Sequence, residues 1–442
     1  MQTEACPSRR WTASLLVLTL VVRLVALWLG RNELSQDPDA YRGLAENVLA
    51  KGVLGHGETP SAYRPPLYPL LLVPCVALGP WSSAAIGALH LGLGLATVWG
   101  VHWLGRRWRL GRGAWLAGLL VACDPILVHR TTQVMTETSA TFLATIALAA
   151  LTLAGERPSA RRLAAAGASL ALAALCRPTF LVWMACVLPV VVWRVPKWGA
   201  RLRLAAAFLS AAAVVLAPWA LRNWVQFGRP MVATTHGGYT LWLGNNALYY
   251  DFLRQGNAGD VWRATDFDAE VRKARSAAGR DGEIADDRRE YAQAWHEIGK
   301  QPRMFLYASL LRLGRFWGLM PRQVDKSEGR WHRWGRYATG VWYFVEFALA
   351  ALGLWWLATG GTDSMRTDAE PGGRVAAPYL SATILPDLLL AASFTAVHAF
   401  FWADLRMRAP VEPVVALVAA AGASRPSMAS SQRKALSVND LQ

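Results

Sequence analysis

Apolar residues run in long blocks along the chain, broken by short polar segments, and a block of roughly 20 apolar residues crosses a bilayer as a helix. The blocks predict spanning helices at about 12–30, 82–104, 113–129, 137–154, 160–176, 180–194, 203–221, 338–358, 379–402 and 409–423. Two further apolar stretches read differently. Leu67 to Leu78 is short and contains Pro69 and Pro74, which favours an interfacial or re-entrant helix. Phe305 to Met320 carries Arg312 and Arg315 in its middle. A central arginine costs a spanning helix roughly 3 kcal/mol, so this stretch is placed at the interface. Past Pro38, residues Tyr41, Leu44, Ala45, Val48 and Leu49 share one helical face, which predicts an amphipathic helix lying on the membrane.

Ten spans put both termini in the cytoplasm. The inside connections are then short and basic: Arg106-Arg107-Trp108-Arg109 with Arg112, Arg157 with Arg161-Arg162, and Arg194 to Arg203. Such an excess of positive charge is the usual cytoplasmic signature. The outer face receives 31–81, 130–136, 177–179, 222–337 and 403–408. Gln323 to Arg336, with Lys326, Arg330, Arg333 and Arg336, runs against this topology. If 305–320 crosses, everything after it inverts. The fold class expected is thus an all-α integral membrane protein of about ten transmembrane helices. Amphipathic juxtamembrane helices lie in its first and last large outside loops, 31–81 and 222–337. The membrane domain runs over 1–424, and 425–442 is a short polar cytoplasmic tail.

Composition agrees: 54% of the 442 residues are hydrophobic and only 17% charged, below the quarter usual in soluble domains. A formal net charge of +16 raises the question of nucleic acid. The Lys and Arg residues lie in short loops between apolar blocks and not on one polar face, which argues against it. Anionic lipid headgroups or phosphates are the partners that fit. Five cysteines without metal-ligand spacing give neither a disulfide framework nor a zinc site. The first block, Ser14 to Gly30, lacks a small-residue cleavage motif and reads as a retained first helix.

Candidate chemistry gathers on the outer face. Asp37-Pro38-Asp39-Ala40-Tyr41 opens the first loop. Asp37 reads as a helix cap with Pro38 at the first helical position, and Asp39 as a first-turn carboxylate. Either also suits a general base for an acceptor hydroxyl. Arg64-Pro65-Pro66-Leu67-Tyr68-Pro69 follows, where the arginine faces headgroups or clamps a phosphate. Glu137 opens the fourth span, as a residue favoured by the helix dipole or as a functional acid. Arg177, Arg222, Arg406 and Arg408 put positive charge on the outer face against the usual bias, which an anionic substrate would explain. Arg23 sits deep in the first span. Thr234 to Tyr239 and Leu243-Gly244-Asn245-Asn246 read as tight turns, or as Asn side chains for sugar hydroxyls.

Together these residues resemble the C-type glycosyltransferases that use polyprenyl-phosphate sugars. The nearest branch is the bacterial relatives of dolichyl-phosphate-mannose protein mannosyltransferases and of the lipid A aminoarabinose transferase. The resemblance covers about residues 20–420. Besides the first two motifs it includes Met135-Thr136-Glu137, Arg177-Pro178, Pro218 to Asn223, Gly244-Asn245-Asn246 and Arg406 to Pro410. Pro38 stands where that family has Glu in an Asp-Glu pair, so register from Tyr41 aligns Asp37 with the family's Asp and leaves Asp39 as the other candidate. The resemblance implies an inverting transfer from a lipid-linked sugar phosphate to a glycan, lipid or protein acceptor, at the outer face of the plasma (inner) membrane. Asp37 or Asp39 would take the acceptor proton. Arg64, Arg177, Arg222, Arg406 and Arg408 would hold the donor phosphate, and Tyr41, Tyr68, Asn223, Asn245 and Asn246 would line the substrate site. Glu137 would orient the acceptor or share a divalent metal ion, for which no dedicated cage is visible.

The rival reading is a transporter or flippase for a lipid-linked or polar solute. Such proteins place charges near the midplane on paired repeats. No internal repeat is evident, and only Arg23, Glu346, Asp387 and His398 fall clearly inside spans. A non-catalytic subunit of a glycan assembly complex is the remaining alternative.

Overall fold

The computed structural model describes residues 9–193, 195–256, 262, 264–277, 282–322, 329–359 and 377–424. Cys6, Arg194, the 323–328 part of the basic stretch and the 425–442 tail lie outside the described residues. Helices occupy most of the rest, and the described strands form a hairpin of two residues each, Gly55–His56 against Thr59–Pro60. Every predicted span is found as helix, with shifted ends. Among the described residues, five helices are long and apolar enough to cross a membrane: Arg10–Leu29, Gly79–Arg107, Glu137–Glu156, Trp198–Phe227 and Arg330–Ala358.

The first helix, Arg9–Leu29, shows why an apolar block can carry an arginine. Leu15, Thr19 and Arg23, one helical stripe, are buried, whereas Val17, Val21, Val25 and Trp28 face outward. Arg23 does not snorkel. It donates to Leu127 O at 3.1 Å and to Thr131 Oγ1, neutralising carbonyl charge inside the bundle. Small residues let other helices approach closely. A Cβ on Gly167 would lie 2.2 Å from Phe208 O, where Ala160–Cys176 packs on Trp198–Phe227.

Two predicted spans differ in form. The block at 113–129 breaks into Gly113–Cys123 and Pro125–Arg130, because Asp124 caps the second helix by accepting Leu127 N at 2.7 Å. Asp followed by Pro is a helix-start signal, and here it interrupts an apolar run. The block at 409–423 begins as a 3-10 turn, Leu405–Val411, followed by a helix over 412–424. At 1.5 Å per residue that helix rises about 20 Å, less than a bilayer core of about 30 Å.

Two of the stretches expected at the interface, Leu67–Val76 and Tyr41–Lys51, form short helices; in the second, Tyr41, Leu44 and Ala45 are buried and Leu49 is exposed. In Pro302–Phe316, Arg312 is fully buried. It donates to Gly244 O and, at 3.0 and 2.8 Å, to Ala399 O. It thereby ties the ends of Gly237–Gly244 and Ala377–Phe400 together. Around it the long loop forms a helical module with its own core of Leu241, Trp242, Leu243, Phe267, Val271 and Ala294.

Candidate functional site

The Asp37-Pro38-Asp39-Ala40 segment turns tightly before the Tyr41–Lys51 helix. Ala40 adopts left-handed backbone at φ +60°, which is uncommon for a residue with a side chain. The turn separates the two aspartates. Asp37 accepts from the Arg42 and Gly43 backbone N–H groups at 3.1 and 2.8 Å, so it caps the helix from three residues further out than a standard cap. Asp39 points the other way, into a cluster of arginines.

That cluster brings together Asp39, Arg64, Glu137, Arg177 and Arg406. Arg64 Nη2 lies 2.9 Å from Asp39 Oδ1, and Arg406 Nη1 lies 3.6 Å from Asp39 Oδ2. Glu137, at the start of Glu137–Glu156, is buried; its Oε1 meets Arg177 Nη2 at 3.0 Å and Arg406 Nη1 at 3.5 Å. Arg177 also donates from Nε to Thr136 Oγ1 at 3.0 Å. Burial pulls the Arg406 guanidinium down, but Glu137, Asp39 and Asp404 outweigh it and hold its pKa above the usual value. Tyr41 lies beneath Arg64, whose Cζ is 5.3 Å from the ring centroid, and packs edge-on against Tyr68 at 5.2 Å. Burial, opposed by Arg64, pushes the Tyr41 phenol up to about 12, so it stays neutral. Tyr68 donates to His90 Nε2 at 2.9 Å, because His90 Nδ1 gives its proton to Thr131 O.

Arg406 also lines a cavity of about 950 Å³ that runs from the cluster between the Pro302–Phe316 and Arg330–Thr359 helices. Arg130, Arg315 and Arg322 face it, with Trp262 and Trp402 among its aromatic walls. Arg315 Cζ lies over the Trp402 and Tyr249 rings at 5.2 and 5.4 Å. Its Nε and Nη1 are buried without a hydrogen-bond partner among the described residues, as is Arg130 Nε. Buried donors of this kind are costly unless a ligand or water accepts from them. Sequence reading treated Arg315 only as an expense to a spanning helix and did not single out Arg130 or Arg322. The sole signal was the density of arginine in an apolar stretch.

Five other candidates lie outside the cluster, each with polar atoms engaged elsewhere. Arg222 donates to Leu54 O and Ser61 O at 2.8 and 3.1 Å. Asn223 donates to Met231 O, and Asn245 to Leu241 O and Phe400 O. Asn246 caps Ala247–Gln255 by accepting Tyr249 N at 2.8 Å. Arg408 is buried against Glu412, Phe316 O and Gly318 O. These contacts hold loops and helix ends together at a distance from the cluster, and of the five only Arg408 keeps a buried nitrogen, Nη2, without a partner among the described residues.

The long-loop module closes over Arg64. Ala62 O accepts Thr235 N at 3.1 Å, Ala62 N donates to Glu283 Oε1 at 2.8 Å, and the Tyr63 ring packs on His236 at 4.3 Å. Burial first, then Arg64 and Arg275, pushes His236 down to about 3. Between pH 6.5 and about 3 the unfolded chain therefore binds a proton that the folded one does not, and stability falls as pH falls, by at most about 1.4 kcal/mol per pH unit. His236→Gln is expected to flatten the acid limb of the thermal unfolding midpoint in detergent over that window.

No family profile and no curated protein matches the sequence. Solved structures do. The archaeal oligosaccharyltransferase AglB from Archaeoglobus fulgidus, in complex with an inhibitory peptide and a dolichol-phosphate, superposes with a TM-score of 0.53 at 16% identity, over 96% of this chain and 51% of that one. This chain shares the fold of the corresponding half of that archaeal protein. The apo form of the same archaeal enzyme gives 0.53 over 97% of this chain and 52% of its own. ArnT from Cupriavidus metallidurans bound to undecaprenyl phosphate gives 0.41 at 16% identity, over 95% of this chain and 79% of that one. The chain thus spans about half the length of the archaeal enzyme, whose fold it shares.

Proposed function

We propose that this protein is a glycosyltransferase that moves a sugar from a polyprenyl-phosphate donor to an acceptor hydroxyl at the outer face of the plasma membrane. Its likeness in fold to AglB, which binds dolichol-phosphate, supports the class of donor. The observation that carries the reading is Arg406, which lies 3.6 Å from Asp39 and also lines the basic cavity. A carboxylate and an anion pocket thus share one residue.

In this reading the donor phosphate is held by Arg315, Arg322, Arg130 and the cavity side of Arg406, while the apolar and aromatic walls cover the sugar and first isoprene units. Asp39 takes the acceptor proton as the hydroxyl oxygen attacks the anomeric carbon. The bond from that carbon to the phosphate oxygen breaks in line, with inversion, and the arginines stabilise the charge left on the phosphate. Arg64 holds Asp39 in place, and Arg177 holds Glu137, so these two arginines act as positioning residues more than as phosphate ligands. A divalent metal does not fit between Asp39 and Glu137: each carboxylate already faces arginines, and a cation there would meet Arg64, Arg177 and Arg406.

The test is a transfer assay in membranes with a panel of radiolabelled polyprenyl-phosphate sugars and mixed acceptors. Release of label by the wild type and its loss in Asp39→Asn would support the reading. A lipid-linked sugar left untouched across the panel would move the weight to a transporter. Arg315→Ala is expected to raise the donor KM by 10- to 100-fold, the worth of about 1.5–3 kcal/mol for a hydrogen bond to a charged group, with a smaller change in kcat. Initial rates against donor concentration measure it.

A further inference from the structure

Behind the site, Asp124, Glu346 and Glu412 each place a carboxylate oxygen within 4.8 Å of the others, and all three are buried. They come from three segments: the break after Gly113–Cys123, the Arg330–Thr359 helix, and the first residue of the 412–424 helix. Part of their hydrogen-bonding capacity is met. Tyr343 donates to Asp124 Oδ2 at 2.9 Å, Trp342 Nε1 to Glu346 Oε2 at 3.1 Å, and Arg408 Nε to Glu412 Oε1. What remains is informative. Glu346 Oε1 and Glu412 Oε2 are buried with no partner among the described residues, and so is Arg408 Nη2. Three carboxylates beside one guanidinium leave an excess of negative charge in a low-dielectric interior, which is costly unless something neutralises it.

We propose that these three carboxylates hold a hard divalent cation of the magnesium or calcium class, separate from the surface cluster. The donor set is all oxygen, which such hard ions prefer, whereas zinc and copper sites are built mainly from imidazole and thiolate. Carboxylate oxygens at about 2.3–2.6 Å from a calcium ion stand up to about 5 Å apart, in keeping with the observed spread. A divalent charge also balances the cluster. The cavity lies close by: its wall includes Pro125 and Ile126, which follow Asp124 in the chain, and Gly318, whose carbonyl accepts from Arg408. The ion has a structural consequence for the site. Asp124 starts the short helix that ends at Arg130, and Glu412 follows directly on the turn that carries Arg406. Bound there, the cation fixes both cavity arginines from behind as a positioning element.

The experiment uses the full-length protein in detergent, stripped with EDTA and titrated with manganese followed by electron paramagnetic resonance. One ion bound per chain is expected, displaced by magnesium or calcium, with a melting temperature that rises on addition of either. Glu346→Gln and Glu412→Gln should weaken binding at least 10-fold, while Asp39→Asn keeps the ion. Absence of a bound ion on the folded wild type would overturn the proposal and leave protons as the neutralising species. Loss of the ion in Asp39→Asn with retention in Glu346→Gln would overturn it too, by moving the ion to the surface cluster. Neither outcome depends on transfer activity.

Discussion

Asp39→Asn is expected to lower kcat for sugar transfer by about 10²–10⁴-fold, the usual contribution of a positioned base, with little change in donor KM. Asp37→Asn is expected to stay within a few-fold of wild type. The contrast follows from the turn at Ala40. Asp37 spends both oxygens on the Arg42 and Gly43 backbone N–H groups, and asparagine still offers one acceptor there, at a cost of about 0.5–1 kcal/mol to the helix. Asp39 faces Arg64 and Arg406, with 23% of its side chain exposed. The amide keeps the shape and loses both the charge and the capacity to take a proton. Side-by-side kinetics of the two variants, with a melting curve for each, decide the matter. Equal loss in both would return the base to Asp37 and the register counted from Tyr41.

The arrangement that separates these aspartates was only partly legible in the chain. The ten-span reading put Asp39, Arg64, Glu137, Arg177 and Arg406 on one face of the membrane, but with them Asp37, Arg222 and Arg408, which lie outside the cluster. Hydrophobic pattern located the helices. What pattern does not encode is the partner of a given polar atom. Arg222 and Arg406 look alike in sequence, yet Arg222 is consumed by the carbonyls of Leu54 and Ser61 while Arg406 sits between two carboxylates and a cavity. Arg312 and Arg315 lie one turn apart in one apolar helix. The first closes helix ends, whereas the second leaves two donors open to the cavity. Asp124 was legible and passed over: the Asp-Pro signal that marked residue 37 recurs at 124, hidden by the apolar run around it.

Glu137 carries the other large effect, and it separates stability from chemistry. Its side chain is 1% exposed and holds Arg177 and Arg406. Removing one member of such a buried pair strands the remaining charge, so Glu137→Gln is expected to destabilise the protein by about 3–5 kcal/mol. Arg177→Gln alone should cost a comparable amount, since it leaves Glu137 with only the more distant Arg406. The double variant should be far less damaged than the sum, with a coupling of roughly 2–3 kcal/mol, because neither charge is then unmatched. Denaturant unfolding of the four proteins in one detergent measures the cycle. Additive losses would mean that Glu137 is not satisfied by Arg177 in the folded protein and that its orphan Oε2 awaits another partner. If the coupling is found and the double variant is stable yet inactive, the ion pair is shown to orient the acceptor face of the site as well as to hold two helices together. Recovery of activity along with stability would confine the pair to architecture and leave Asp39 as the sole carboxylate in the chemistry.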